Sequence, residues 1–151
     1  MTDSERSIIV NLLTRLLARR EHGRSELVRK CQQRELDMTL VHRVLDEFAE
    51  QGLQSDARFA ESFVRQRYNN GYGERRIEAE LRQKQVEDAY IRQAFSELEG
   101  DWFEAARVVY RRKYANPIQD QKDRFKRLRF MQYRGFTQEQ TRYAMEDAEN
   151  E

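Results

Sequence analysis

The chain has 151 residues, 36% charged and 38% hydrophobic, with 28 Lys and Arg against 27 Asp and Glu for a net charge of +1. That balance excludes a uniformly basic nucleic-acid coat and an acidic disordered tail, and no apolar run approaches the ~18 residues of a membrane span. Acidic residues ahead of the first apolar stretch, and Asn11 and Arg15 within it, argue against a signal peptide, while the single Cys31 rules out an internal disulfide and fits a reducing cytoplasm.

Strand signals are nearly absent and apolar residues recur at helical spacing throughout. Ile8, Ile9, Leu12, Leu13, Leu16 and Leu17 make the stripe of a first helix, and Leu27, Val28 and Cys31 that of a second after a break at Gly23. Leu40, Val41, Val44, Leu45 and Phe48 mark a third, stopped at Gly52. Ser55 or Asp56 caps a fourth, with Phe59, Ala60, Phe63 and Val64 on one side and Gly71 and Gly73 at its end. Ile77 and Leu81 belong to a fifth, and Tyr90, Ile91, Ala94, Phe95 and Leu98 to a sixth that stops at Gly100. A seventh starts near Asp101 and breaks at Asn116-Pro117, because proline disfavours a helical residue before it. An eighth ends at Gly135, and Thr137 with Gln140 forms a capping-box pattern for a ninth. The expected fold is all-α.

A repeat appears at an offset of 50 residues. Gly23 matches Gly73, Leu27 matches Ile77, and Cys31 matches Leu81 and then Met131. Arg34, Lys84 and Arg134 are equivalent, as are Asp37, Glu87 and Thr137, where a helix cap or first-turn acceptor belongs. The third copy differs in spacing only across the Asn116–Asp123 connection. The pattern predicts three tandem three-helix units, 1–54, 55–100 and 101–151, that share a thin core in one elongated, curved array. Such a shape suits wrapping a partner.

No HExxH, CxxC, GxSxG, dinucleotide loop or P-loop occurs, and two histidines with one thiol are too few for a histidine-based metal site. An enzyme is not expected, and no cofactor. Cys31 reads as a small core residue, Trp102 and Phe103 as packing against the second unit, and Phe125 and Phe130 as core. Tyr68, Tyr72 and Tyr114 fit either a helix face with a basic rim or a stacking surface for nucleic acid. From Arg107 to Arg134 the basic residues run Arg107, Arg111, Arg112, Lys113, Lys122, Arg124, Lys126, Arg127, Arg129 and Arg134, opposed only by Asp120 and Asp123. Arginine, which outnumbers lysine 23 to 5, offers a planar fork suited to carboxylates and phosphates.

The segment from Ser55 to Arg67, with Arg58-Phe59-Ala60 near its start, leads into Gly71-Tyr72-Gly73-Glu74-Arg75-Arg76-Ile77 and Glu80-Leu81. Together with Asp101-Trp102, Arg112-Lys113-Tyr114, Pro117 and Tyr133-Arg134-Gly135-Phe136, this resembles the RecX family, regulators of the RecA recombinase, from about Leu12 to Ala148. One departure is the family's Lys-Gly-Val step, which reads Lys84-Gln85-Val86 here and implies a different helix end. The resemblance implies a protein that binds RecA on single-stranded DNA in the filament groove. It would suppress ATPase, strand exchange and coprotease action, and cap the filament or promote its disassembly. No long apolar surface stripe argues for an obligate dimer, so a monomer with no membrane partner is expected, and weak direct DNA binding is compatible with this reading; the alternative is an autonomous DNA-binding helical protein. The candidate contacts to RecA or DNA are Arg111, Arg112, Lys113, Arg124, Lys126, Arg127 and Arg129, with a second patch of Arg65, Arg67, Arg75 and Arg76 around the Gly71–Gly73 turn. Exchanging Lys126 and Arg127 together for Glu is expected to weaken inhibition without unfolding the chain.

Overall fold

A computed structural model describes residues 2–150, and among them are nine helices and no strand. They are α1 (Thr2–Arg19), α2 (Arg24–Gln33), α3 (Met38–Glu50), α4 (Asp56–Asn69), α5 (Glu74–Gln83), α6 (Asp88–Glu97), α7 (Trp102–Lys113), α8 (Gln121–Arg134) and α9 (Gln138–Glu149). The caps are those the sequence provides. Asp37 accepts from the N–H groups of Thr39 at 3.0 Å and Leu40 at 3.3 Å, and Asp101 does the same for Phe103 and Glu104. Thr137 and Gln140 form the reciprocal capping box of α9. Of the two candidate caps of α4, Ser55 serves, accepting from the Arg58 N–H at 3.2 Å. Asp56 turns away to cap α2 instead, accepting from the Arg24 N–H at 2.8 Å.

The second helix of each repeat ends the same way. Glu35 (φ 57°), Gln85 (φ 62°) and Gly135 (φ 103°) are all left-handed, and the next residue's N–H closes back onto the helix, as in Leu36 to the Cys31 carbonyl and Phe136 to the Met131 carbonyl, both at 3.2 Å. The different helix end implied by Gln85 is therefore not found: the chain keeps the geometry and accepts a side chain where glycine is easier.

The helices divide into two compact units, one of residues up to Ser62 with Arg82–Ala94, the other of Phe63–Leu81 with Phe95 onward. In the first, Ile9, Leu12 and Leu13 of α1 pack with Leu27 and Cys31 of α2 and with Val41, Val44 and Leu45 of α3. Ile8 faces solvent despite its place in the predicted stripe. Each fully buried aliphatic side chain contributes about 1.5–3 kcal/mol. In the second unit, Val109 and Tyr110 of α7, Met131 of α8 and Phe136, Ala144 and Met145 around α9 form the core. Trp102 packs edge-on against Tyr68, with ring centroids 5.1 Å apart, and near Phe95 at 5.9 Å, whereas its neighbour Phe103, expected to pack the same way, is exposed and meets Tyr143 of α9 edge-on at 5.6 Å. Phe59, Ile77, Leu81 and Ile91 are buried, whereas Phe63 and Phe95 are only half-buried. Cys31 is enclosed, and burial pushes its thiol up from the usual range.

The offset of 50 also organises the junctions between repeats. Within the second unit, the Gly73 N–H donates to the Arg134 carbonyl at 2.7 Å and the Arg75 N–H to the Gly135 carbonyl at 3.2 Å. A Cβ on Gly73 would lie 2.3 Å from the Gly135 carbonyl carbon, so only glycine allows this approach. Within the first unit, Ser25, the counterpart of Arg75, donates its hydroxyl to the carbonyl of Lys84, the counterpart of Arg134, at 2.5 Å. No helix among the described residues is long and apolar enough to cross a membrane.

Candidate interaction surface

The α4–α5 turn of the second unit carries a ladder of stacked guanidinium groups and rings. Tyr72 has the Arg67 guanidinium 3.9 Å from its ring centroid, Arg134 at 4.2 Å and Arg76 at 4.7 Å. Arg76 lies equally close, 4.7 Å, to the Tyr133 ring and donates to the Tyr133 carbonyl at 3.2 Å. Glu80 supplies the carboxylate, in a two-point pair with Arg67 (3.0 and 2.5 Å) and 3.8 Å from Arg76. Arg134 donates to the Gly71 and Asn70 carbonyls, at 3.1 and 2.9 Å. Arg67 and Arg76 are thus held internally by ring and carboxylate. Tyr72 belongs to this scaffold, where the spacing left it open.

Arg127 is the clearest departure from expectation. It is only 5% exposed. Its Nε donates to Asp123 at 3.2 Å, Nη1 to the Tyr110 hydroxyl and the Asn116 carbonyl, both at 2.9 Å, and Nη2 to the Pro117 carbonyl at 3.3 Å while lying 3.0 Å from Asp123 Oδ2. The Tyr114 ring stacks on it at 4.5 Å. Hydrogen bonds from Arg127, and then from the Gln119 N–H, hold the Asp123 carboxyl below its usual range. Every donor is taken, by the Tyr110 hydroxyl of α7, by the Asn116 and Pro117 carbonyls of the loop that joins α7 to α8, and by Asp123 of α8 itself, so Arg127, expected to meet RecA or DNA, has no face left for a partner.

The other candidates separate by exposure. Arg111 is half-buried and pairs with Asp147 at 2.8 Å, and Lys113 lies over the Phe130 ring at 5.3 Å. Arg65, Arg75, Arg112, Arg124, Lys126 and Arg129 are exposed, and their side chains pair with no carboxylate or ring among the described residues. Lys126 and Arg129 share one side of α8 with Lys122, Phe125 and Tyr133, since these positions recur at i, i+3, i+4, i+7 and i+11. Arg124 projects from a different side. Phe125, expected in the core, is 55% exposed, and Tyr133 is 73% exposed. Phe130 does pack against the core of the second unit. The signal that places Phe125 outside is on the helical wheel: it falls among Lys122, Lys126 and Arg129, opposite Met131.

The first unit holds an open polar groove of about 970 Å³ between α2 and the 83–87 turn. Arg24 and Lys84 line it but are bound at its edges, Arg24 to Asp46 at 2.8 Å and Lys84 to Glu26 at 3.2 Å. Burial pushes the Glu26 carboxyl up, but hydrogen bonds from Arg20, the Gly23 N–H and Lys84 outweigh this and hold it low. The sequence reading did not single out this groove, although the offset-50 match of Lys84 to Arg134 already placed a junction there.

Comparison with known proteins bears on what such a surface serves. Models of the RecX second and third three-helix domains match residues 55–94 and 99–145. Regulatory protein RecX of Pseudomonas putida (strain GB-1) is 49% identical over 122 residues, 80% of this chain and 78% of its own. The chain belongs to the RecX family. Regulatory protein RecX of Halorhodospira halophila is 43% identical over 138 residues, covering 91% of this chain and 86% of its own. Among solved structures, a crystal structure of regulatory protein RecX superposes with a TM-score of 0.78 at 22% identity, covering 99% of this chain and 75% of that one. RecX from Lactobacillus salivarius superposes at 0.79 with 17% identity over 100% of both chains, so the RecX fold is shared well beyond close sequence likeness.

Proposed function

We propose that this RecX-family chain regulates the RecA recombinase by binding it in the groove of its filament on single-stranded DNA. Binding lowers RecA's ATP hydrolysis, strand exchange and coprotease action, and through them DNA repair, recombination and the SOS response. The observation that carries this reading is the 49% identity over 80% of the chain to a protein named regulatory protein RecX. The surface chemistry supports it: exposed, unpaired cations beside exposed aromatic rings are suited to gripping a partner. On this reading the three repeats, 1–54, 55–100 and 101–151, act together as a cytoplasmic monomer. Direct binding of single-stranded DNA is a weaker accompaniment, since a net charge of +1 provides little long-range attraction for a polyanion. The test is titration of the full chain into RecA, single-stranded DNA and ATP. Hydrolysis falls at or below equimolar chain if the reading holds; an unchanged rate refutes it.

A further inference from the structure

The outer side of α8 has properties that its own fold does not use. Phe125 and Tyr133 are the most exposed aromatic rings of the described residues, at 55% and 73%. Eight residues apart on one helix face, they stand about 12 Å apart along its axis. Lys122, Lys126 and Arg129 surround them with no carboxylate in reach, because Asp123 is taken by Arg127 at 3.0 Å and Asp120 caps the helix through the Asp123 N–H at 2.8 Å. The face is therefore apolar at two points and positively charged between them.

Tyr133 is also held in place before any partner arrives. Arg76 stacks on its ring at 4.7 Å and is itself fixed by the Tyr72 ring at 4.7 Å and by Glu80 at 3.8 Å. A large side chain ordered in advance loses little freedom on binding, which is what an anchor of an interface requires. The same stacking bears on the class of partner. A guanidinium covers one face of Tyr133, so a base could stack only on the other, and the Phe125 ring about 12 Å along the axis is too distant to continue the same stack. A net charge of +1 likewise favours a partner matched locally in charge and shape over one recognised as a polyanion.

We infer that the outer face of α8 is the surface by which this chain meets a protein, with Phe125 and Tyr133 as apolar anchors and Lys122, Lys126 and Arg129 as their charged rim. The partner surface carries two apolar recesses about 12 Å apart, spaced as the helix spaces the rings, with carboxylates between them. The inference rests on the reading that the partner is RecA, and it adds the face and the chemistry of contact.

The experiment compares full-length wild type, Phe125→Ala/Tyr133→Ala and Lys122→Glu/Lys126→Glu/Arg129→Glu in RecA ATPase inhibition and in binding to naked single-stranded DNA. Thermal melting checks that each variant is folded, as none of the five residues lies in a core. The aromatic pair, which leaves the charge untouched, is expected to weaken inhibition at least tenfold, and the charge reversal to weaken it further. Inhibition by the aromatic variant equal to wild type overturns the inference while leaving the functional reading intact. Loss of DNA binding by that variant with inhibition undiminished makes nucleic acid the occupant and also overturns it. If wild type itself leaves RecA hydrolysis unchanged, the functional reading falls and the inference with it.

Discussion

Replacing Arg127 by Met separates the two roles a basic residue in this stretch could have. Met keeps most of the length of the side chain and removes the guanidinium. The substitution strands Asp123, the Tyr110 hydroxyl and the Asn116 and Pro117 carbonyls, all within 3.3 Å of the guanidinium. Removing one partner of a buried ion pair costs about 3–5 kcal/mol. Here the Asp123 side chain retains 24% of its exposure and rehydrates, as do the loop carbonyls, so the expected loss sits near about 3 kcal/mol. For a chain of this size that corresponds to a fall of roughly 6–12 °C in Tm. Thermal and urea unfolding of Arg127→Met and Lys126→Glu, measured beside RecA inhibition well below either melting point, are the assay. Arg127→Met is expected to melt early yet inhibit while folded, and Lys126→Glu to melt like wild type and inhibit less. An Arg127→Met protein with wild-type Tm and lost inhibition would refute the structural role and return Arg127 to the contact surface. The double exchange of Lys126 and Arg127 for Glu, which the sequence suggested as a clean test of a surface patch, instead mixes a surface change with the loss of a buried fastening.

Three further outcomes follow from the helix ends, the junction and a buried histidine. Gln85→Gly relieves a left-handed residue at φ 62° and should stabilise by about 0.5–1 kcal/mol in urea unfolding, the strain released exceeding glycine's greater entropy when unfolded. Gly73→Ala should destabilise at the upper end of about 1–3 kcal/mol, because the added Cβ meets backbone atoms at 2.3–2.4 Å that have no rotamer to change; a silent Gly73→Ala would refute the close approach. His22 has its pKa lowered from 6.5, chiefly by burial. Its neutral form therefore contributes stability that is complete above that value and is lost as pH falls through the lowered folded value, so His22→Gln should flatten the decline in stability between neutral and mildly acid pH.

Much of the fold is legible in the sequence because its determinants are local. Caps such as Asp37, Asp101 and Thr137 act on backbone groups two or three residues away, and the offset-50 repeat gives the same helix end three times. What was not legible depends on neighbours distant in sequence. Asp56 was expected as a possible cap of its own helix and caps α2, 32 residues earlier, instead. Phe63 and Phe95 occupy core positions on their own helices but are half-buried, since burial also depends on what another helix supplies. For the candidate surface, composition found the basic stretch but could not sort it. Arg127 and Lys126 are adjacent in sequence and opposite in fate, and only the Tyr114–Asp120 loop, folding back onto α8, decides which is enclosed. Helical spacing alone fits Phe125 to an apolar face with a basic rim, but its phase among Lys122, Arg129 and Tyr133 places it outside.

The central claim is that the partner is RecA assembled on DNA. Its most direct test is co-sedimentation of the full chain with RecA–single-stranded DNA filaments held by a non-hydrolysable ATP analogue, beside the same DNA without RecA. The account predicts saturable binding to the filament and little to the bare strand. Equal binding to both, or none to the filament, contradicts it.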